Sequence, residues 1–127
     1  MHLRNAVVRL ALPLGLLAVA FAAAGSGQPN TIKGYVLDSA CAFTKNLKKP
    51  ISPACAVACA KAGSPLVILS DEGAIYWPIA DATPASGQNE KLLPFGGQKV
   101  TATGRVFERG GSRAMVIDKL ESSSSSK

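Results

Sequence analysis

Histidine is all but missing. The 127 residues hold one, His2, and it falls in a segment that reads as a removable leader. Without it the mature chain has no side chain that titrates near neutrality at its ordinary pKa. It also lacks a Ser-His-Asp or Cys-His couple and any imidazole for a metal, so hydrolytic mechanisms built on His are excluded. Charge is scarce too. Asp, Glu, Lys and Arg make up 17% of the chain, against about 25% in ordinary soluble domains, which rules out coiled-coil and charge-rich disordered classes. There are three Cys and no C-x-x-C redox motif. The length holds one core of ordinary size, not two.

The apolar residues are concentrated at the start. Arg4 and Arg9 stand in a stretch without acids, and Leu10 to Ala24 carries no charge at all. Ala20-Phe21-Ala22 and Ala22-Ala23-Ala24 both fit a small-residue cleavage site. Residues 1–24 therefore read as a secretory signal peptide. A spanning helix needs about 20 apolar residues, and Pro13 and Gly15 interrupt this one. Cleavage would remove Arg4 and Arg9 and lower the formal charge from +6 to +4. The expected location is the periplasm or the cell exterior.

The mature chain reads as short strands around one helix. Thr31–Ser39 alternates Ile32/Gly34/Val36 with Lys33/Tyr35/Leu37, a strand with Gly34 marking a bend. Ser52-Pro53 opens a helix as N-cap and first helical residue, Ala54–Ala62 fills it and Gly63 stops it. Leu66–Leu69 is a buried strand, Asp71-Glu72-Gly73 a hairpin turn and Ala74–Ile79 the partner strand, with Trp77 expected in the core. Residues 81–97 form a long Pro/Ser-rich connection with one helical turn over Asn89–Leu93. Gln98–Glu108 and Arg113–Leu120 are the last two strands. Ser122–Lys127 is a low-complexity tail, disordered on composition. The expected fold for 25–121 is mostly β with one helix: a five-stranded OB-like antiparallel barrel, bent at Gly34 and Gly104. The alternative is an open α+β sheet with the helix packed on one face.

Gly34-Tyr-Val-Leu-Asp38-Ser39-Ala-Cys41, then Cys55-Ala-Val-Ala-Cys59, then Gly97-Gln-Lys-Val100-Thr-Ala-Thr-Gly104-Arg-Val106 is a distinctive layout. It resembles a group of small secreted bacterial proteins of unknown function with a DSxC…Cx3C…GxxVxVxG pattern. The resemblance implies an OB-like fold and export, and implies no activity. Ala42 departs from it, standing where the group has Gly, as does the long 81–97 loop.

The cysteines carry the chemistry on offer. Cys55 and Cys59 are four apart, on one helix face, and Cys41 ends the first strand. Exported thiols usually pair. A Cys41–Cys55 or Cys41–Cys59 bridge would close a loop of about 15 to 19 residues and add roughly 3 kcal/mol. Two alternatives stand beside it: a soft Cu or Zn site on the three thiolates, with Asp38 or Met115 as a weak fourth ligand, and an intermolecular disulfide through the odd thiol. The default is no cofactor.

Lys45, Lys48 and Lys49 form a modest basic patch. It reads as a solvated loop, or as a contact for an acidic partner or an anionic membrane surface. No nucleic acid is expected, because single-strand platforms need several exposed aromatics. The carboxylates are scattered, with no acid–base pair. The function expected is thus that of an exported, non-catalytic interaction or accessory domain. It would bind another envelope protein or complex through the 43–53 and 81–97 loops, with Lys45, Lys48, Lys49 and Phe95 as contacts. The alternative is a thiolate metal-binding protein.

Overall fold

The computed structural model describes residues 27–45 and 51–123. The expected leader, Lys48 and Lys49 and the last four residues lie outside that range. Five strands form a closed barrel in the order β1-β2-β3-β5-β4: β1 Gln28–Asp38, β2 Leu66–Ser70, β3 Ile75–Ile79, β4 Lys99–Arg109 and β5 Ser112–Ser122. The OB-like reading holds, and closure excludes the open sheet. One pairing differs from the expectation. β3 runs parallel to β5 from Tyr76–Arg113 to Ile79–Val116, so the barrel is mixed, not wholly antiparallel. The long 79–99 connection lets the chain return on the far side of β4 before β5 comes back beside β3.

Two glycines let the barrel close. Gly34 pairs with Ser70 of β2 and with Val100 of β4, so β1 bends there from one half of the sheet to the other. A Cβ at Gly34 would lie 2.2 Å from the Leu69 carbonyl oxygen. At Gly104 the β4–β5 register shifts, and a Cβ would lie 2.0 Å from the Val116 carbonyl oxygen. Both positions exclude a side chain because the backbones approach closely. Inside, Ile32, Val36, Leu66, Ile68, Val100, Ala102, Met115 and Ile117 interdigitate. The β4 alternation of inward Val100, Ala102 and Val106 with outward Thr101, Thr103 and Arg105 is as the sequence period implies.

Three helices appear: the expected one, a short one where a single helical turn was expected over Asn89–Leu93, and one that was not expected. α1 (Ser39–Thr44) follows β1 directly and replaces part of the expected loop. α2 (Pro53–Lys61) has Ser52 as its N-cap, accepting the Cys55 N–H at 3.2 Å. α3 (Gln88–Leu92) runs into a 3-10 turn at Leu93–Phe95. Fully buried Leu92 packs into the barrel core, and the Gly97 N–H bonds the Val36 carbonyl at 2.7 Å. Residue Trp77 is not core. The β2–β3 register sets Tyr76 opposite Ile68, so Tyr76 shares the inward pleat and Trp77 faces out, half-buried. The expected tail does not include its first two residues: Ser122 pairs with Val100 and the Ser123 N–H reaches the Lys99 carbonyl at 2.9 Å, while the rest of it lies outside the described residues. Among the described residues no helix is long and apolar enough to cross a membrane.

Candidate functional site

Asp38 closes β1 and opens α1. Its Oδ1 accepts the Cys41 N–H at 3.0 Å, as an N-cap should, and the Ser64 hydroxyl donates to Oδ2. The carboxylate is buried, 4% exposed. Burial pushes its pKa up, but the bonds from Ser64 and Cys41 outweigh burial and hold it below the ordinary carboxylate range. Asp38 is therefore the cap of a helix's first turn, and each of its carboxylate oxygens accepts a structural hydrogen bond.

Cys41 on α1 and Cys59 on α2 are half-buried, and Cys55 is exposed. In this structure all three are free thiols, with no bond drawn between Cys41 and α2. Burial first, then the Asp38 charge and the nearby Cys55 and Cys59, raise the Cys41 thiol. Burial, Cys55 and Asp38 raise Cys59 likewise. Both stay protonated at neutral pH, and the thiolate is the form that exchanges. α1 and α2 thus gather Asp38 and the three cysteines into one electrostatically coupled group. Among the described residues, no set of three or more His, Cys, Asp or Glu side chains is spaced to hold a metal ion. Met115 is fully buried in the barrel core.

The contact candidates divide. Lys45 is exposed at the end of α1. Phe95 packs half-buried against the core, because the 3-10 turn carries it under the barrel. The exposed large aromatic among the described residues is instead Phe43, 67% exposed, which stands at the start of the expected 43–53 contact loop but was not singled out as a contact. Its ring sits 6.4 Å from that of Trp77, tilted by 37°. Beside this pair a cleft of about 300 Å³ is lined by Phe43, Gly73, Ile75, Trp77, Ser112 and Arg113. The sequence signal for it is Asp38 as a helix cap, which puts Phe43 on the last turn of α1. No protein family, curated protein or solved structure matches the chain. Its chemistry has to be read from these side chains alone. Of the carboxylates, Asp71, Asp81, Glu108 and Glu121 each pair with a surface Lys or Arg.

Proposed function

We propose that the chain is an exported interaction module without catalytic machinery of its own. It docks an acidic envelope protein on the face formed by α1 and the outer side of β3. The observation that carries this reading is Phe43, a large aromatic held out in solvent on a half-buried Trp. Aromatic anchors of this kind, set beside a cleft, dominate protein–protein affinity. Charge supports the class of partner. The chain is net positive, and Lys45 lies two residues after Phe43 with Lys48 and Lys49 close behind in sequence; Arg113, at the edge of the cleft, already pairs with Glu108 and would meet a partner carboxylate as part of that pair. A side chain that is apolar, flanked by carboxylates, would meet both features. The test compares wild type with Phe43→Ala as bait in extract from the native compartment, with identification of what is retained. We expect one acidic protein held by wild type, lost with Phe43→Ala and weakened by salt. Retention that ignores Phe43, or binding confined to anionic lipid vesicles, would overturn the reading.

A second reading draws on Cys41, Cys55 and Cys59, three free thiols on α1 and α2 that act on one another's ionisation. Three thiolates from α1 and α2 suit Cu(I) or Zn, provided the two helices close up to bring the sulfurs to ligand spacing. Alkylation and intact mass decide it. Three thiols protected by added Zn²⁺ and released by a chelator support the site, and one alkylatable thiol without metal speaks for a disulfide instead.

A further inference from the structure

One carboxylate ties the cysteine-bearing helices together. Asp38 Oδ1 accepts the Cys41 N–H at 3.0 Å, and Oδ2 accepts the Ser64 hydroxyl. The Ser64 N–H in turn donates to the Cys59 carbonyl at 3.1 Å, and the Ser39 N–H to the Pro65 carbonyl at 2.9 Å. The first turn of α1 is thus pinned to the end of α2, with Cys41 on one side of the pin and Cys59 on the other. Both side chains are half-buried. Cys55 stands one turn back along α2, about 6 Å from Cys59 along the axis, and is exposed. The three thiols lie within electrostatic reach of one another.

Helix geometry decides which sulfurs join. Cβ atoms four residues apart on a helix are about 5–6 Å apart, whereas a disulfide needs about 3.5–4.5 Å. Cys55 and Cys59 therefore do not bond to each other while α2 stands, and any bond within the chain has to cross from α2 to Cys41. The Ser64 bridge brings the Cys59 end of α2 to Cys41. Solvent, by contrast, reaches Cys55 best. The thiol that an incoming reagent meets first and the thiol best placed for a lasting bond are different residues.

We propose that the three cysteines form a thiol-exchange site: Cys55 takes up an incoming disulfide, and the bond passes to Cys41 and Cys59, stapling α1 to α2. The Cys55 thiolate attacks one sulfur of the incoming disulfide, whose S–S bond breaks and releases a first thiolate. The Cys41 thiolate then attacks Cys55 Sγ and expels the second. Cys59 attacks Cys41 Sγ in turn, and Cys55 leaves as a thiolate that takes up a proton. Two thiols of the chain lose two electrons and two protons, and one external disulfide becomes two thiols. The exchange is stoichiometric and ends in a stapled chain, so no turnover is implied. It does not rest on the docking face, and it shares only the thiols with the metal reading.

The test is titration of the reduced full chain, in the presence of a chelator, with a limiting amount of dithiobis(nitrobenzoate), whose thiol product is coloured. We expect two coloured thiols released per reagent consumed, an intact mass lower by two hydrogens with no adduct, and a Cys41–Cys59 bond in the peptide map. Cys41→Ser should release one coloured thiol and keep the adduct on Cys55. Cys55→Ser should still close the bond, but about tenfold more slowly, because entry is then through a half-buried thiol. Phe43→Ala should match wild type, which separates this outcome from that of the partner experiment. One coloured thiol per reagent with a stable adduct on wild type overturns the proposal. So does a final bond mapped to Cys55, or closure in Cys41→Ser.

Discussion

Replacing Asp38 with Ala should cost more stability than any other single change to a polar side chain here. Two losses combine. α1 loses its N-cap, worth about 1 kcal/mol, and the Ser64 hydroxyl loses a charged acceptor, worth a further 1–2 kcal/mol or so, about the value of a bond to a charged group. A total of about 2–3 kcal/mol would lower the midpoint of a domain this size by roughly 10 °C or more. Asp38→Asn is the informative companion. Its Oδ1 still accepts the Cys41 N–H, and the Ser64 hydroxyl can turn to accept from the amide, so the loss should be only about 1 kcal/mol. The two variants also differ from wild type in pH dependence. Hydrogen bonds hold the folded carboxyl below its ordinary value, so as pH falls the unfolded chain takes up the proton first. The contribution of Asp38 is complete above the ordinary carboxylate pKa of about 3.9 and fades as pH drops from there through the folded value. Urea unfolding monitored by Trp77 fluorescence, from neutral pH down to about pH 2, measures both effects. A loss below about 1 kcal/mol in Asp38→Ala would refute the account, and so would an Asp38→Asn variant with the acid limb of wild type.

Gly104→Ala should cost about 2 kcal/mol or more, or prevent folding, because its Cβ would meet the Val116 carbonyl oxygen, backbone that cannot swing away. Urea unfolding beside Ser112→Ala, at the β4–β5 turn, checks that the cost belongs to the bend. Met115→Ala should lose about 2–5 kcal/mol by opening a cavity in the core while leaving thiol counts and any Zn²⁺ binding unchanged. The raised Cys41 and Cys59 thiols act with the opposite sign to Asp38. As pH climbs past the ordinary thiol value of about 8.5, the unfolded chain ionises first and stability falls. Unfolding titrations of wild type and Cys41→Ser above neutral pH should diverge in that range.

The barrel was legible because its signals are local and periodic. Alternation marked the strands, Gly34 and Gly104 marked the bends, and Ser52-Pro53 marked the start of α2. What escaped was set by pairing over distance. Nothing near Ile75–Ile79 says that β3 will lie parallel to β5, since that depends on which side of β4 the chain returns. The same pairing problem hid Trp77. Either face of β3 is apolar, and only the β2–β3 register decides that Tyr76 goes in and Trp77 goes out. α1 escaped for a different reason. Six residues are too few to show a helical period, and its one signal, Asp38 as a cap, also fits a turn. At the candidate site the cysteines were found by type alone. That Met115 lies sealed in the core depends on burial, which residue type does not disclose.

The closing seam of the barrel sets an order of assembly. β4 and β5 are neighbours in sequence, joined by the two-residue Gly110-Gly111 turn with both φ angles positive, and such a hairpin forms early and by itself. β1 has no comparable neighbour. Its longest pairing, from Gln28–Val106 to Tyr35–Lys99, waits on a strand that lies beyond α1, α2, β2, β3 and α3. Long-range closure of this kind is the slow step in folding. During synthesis β1 emerges from the ribosome before every other strand, and it must remain unpaired along its β4 edge until almost the whole chain has emerged. The first strand made is the last to be locked in.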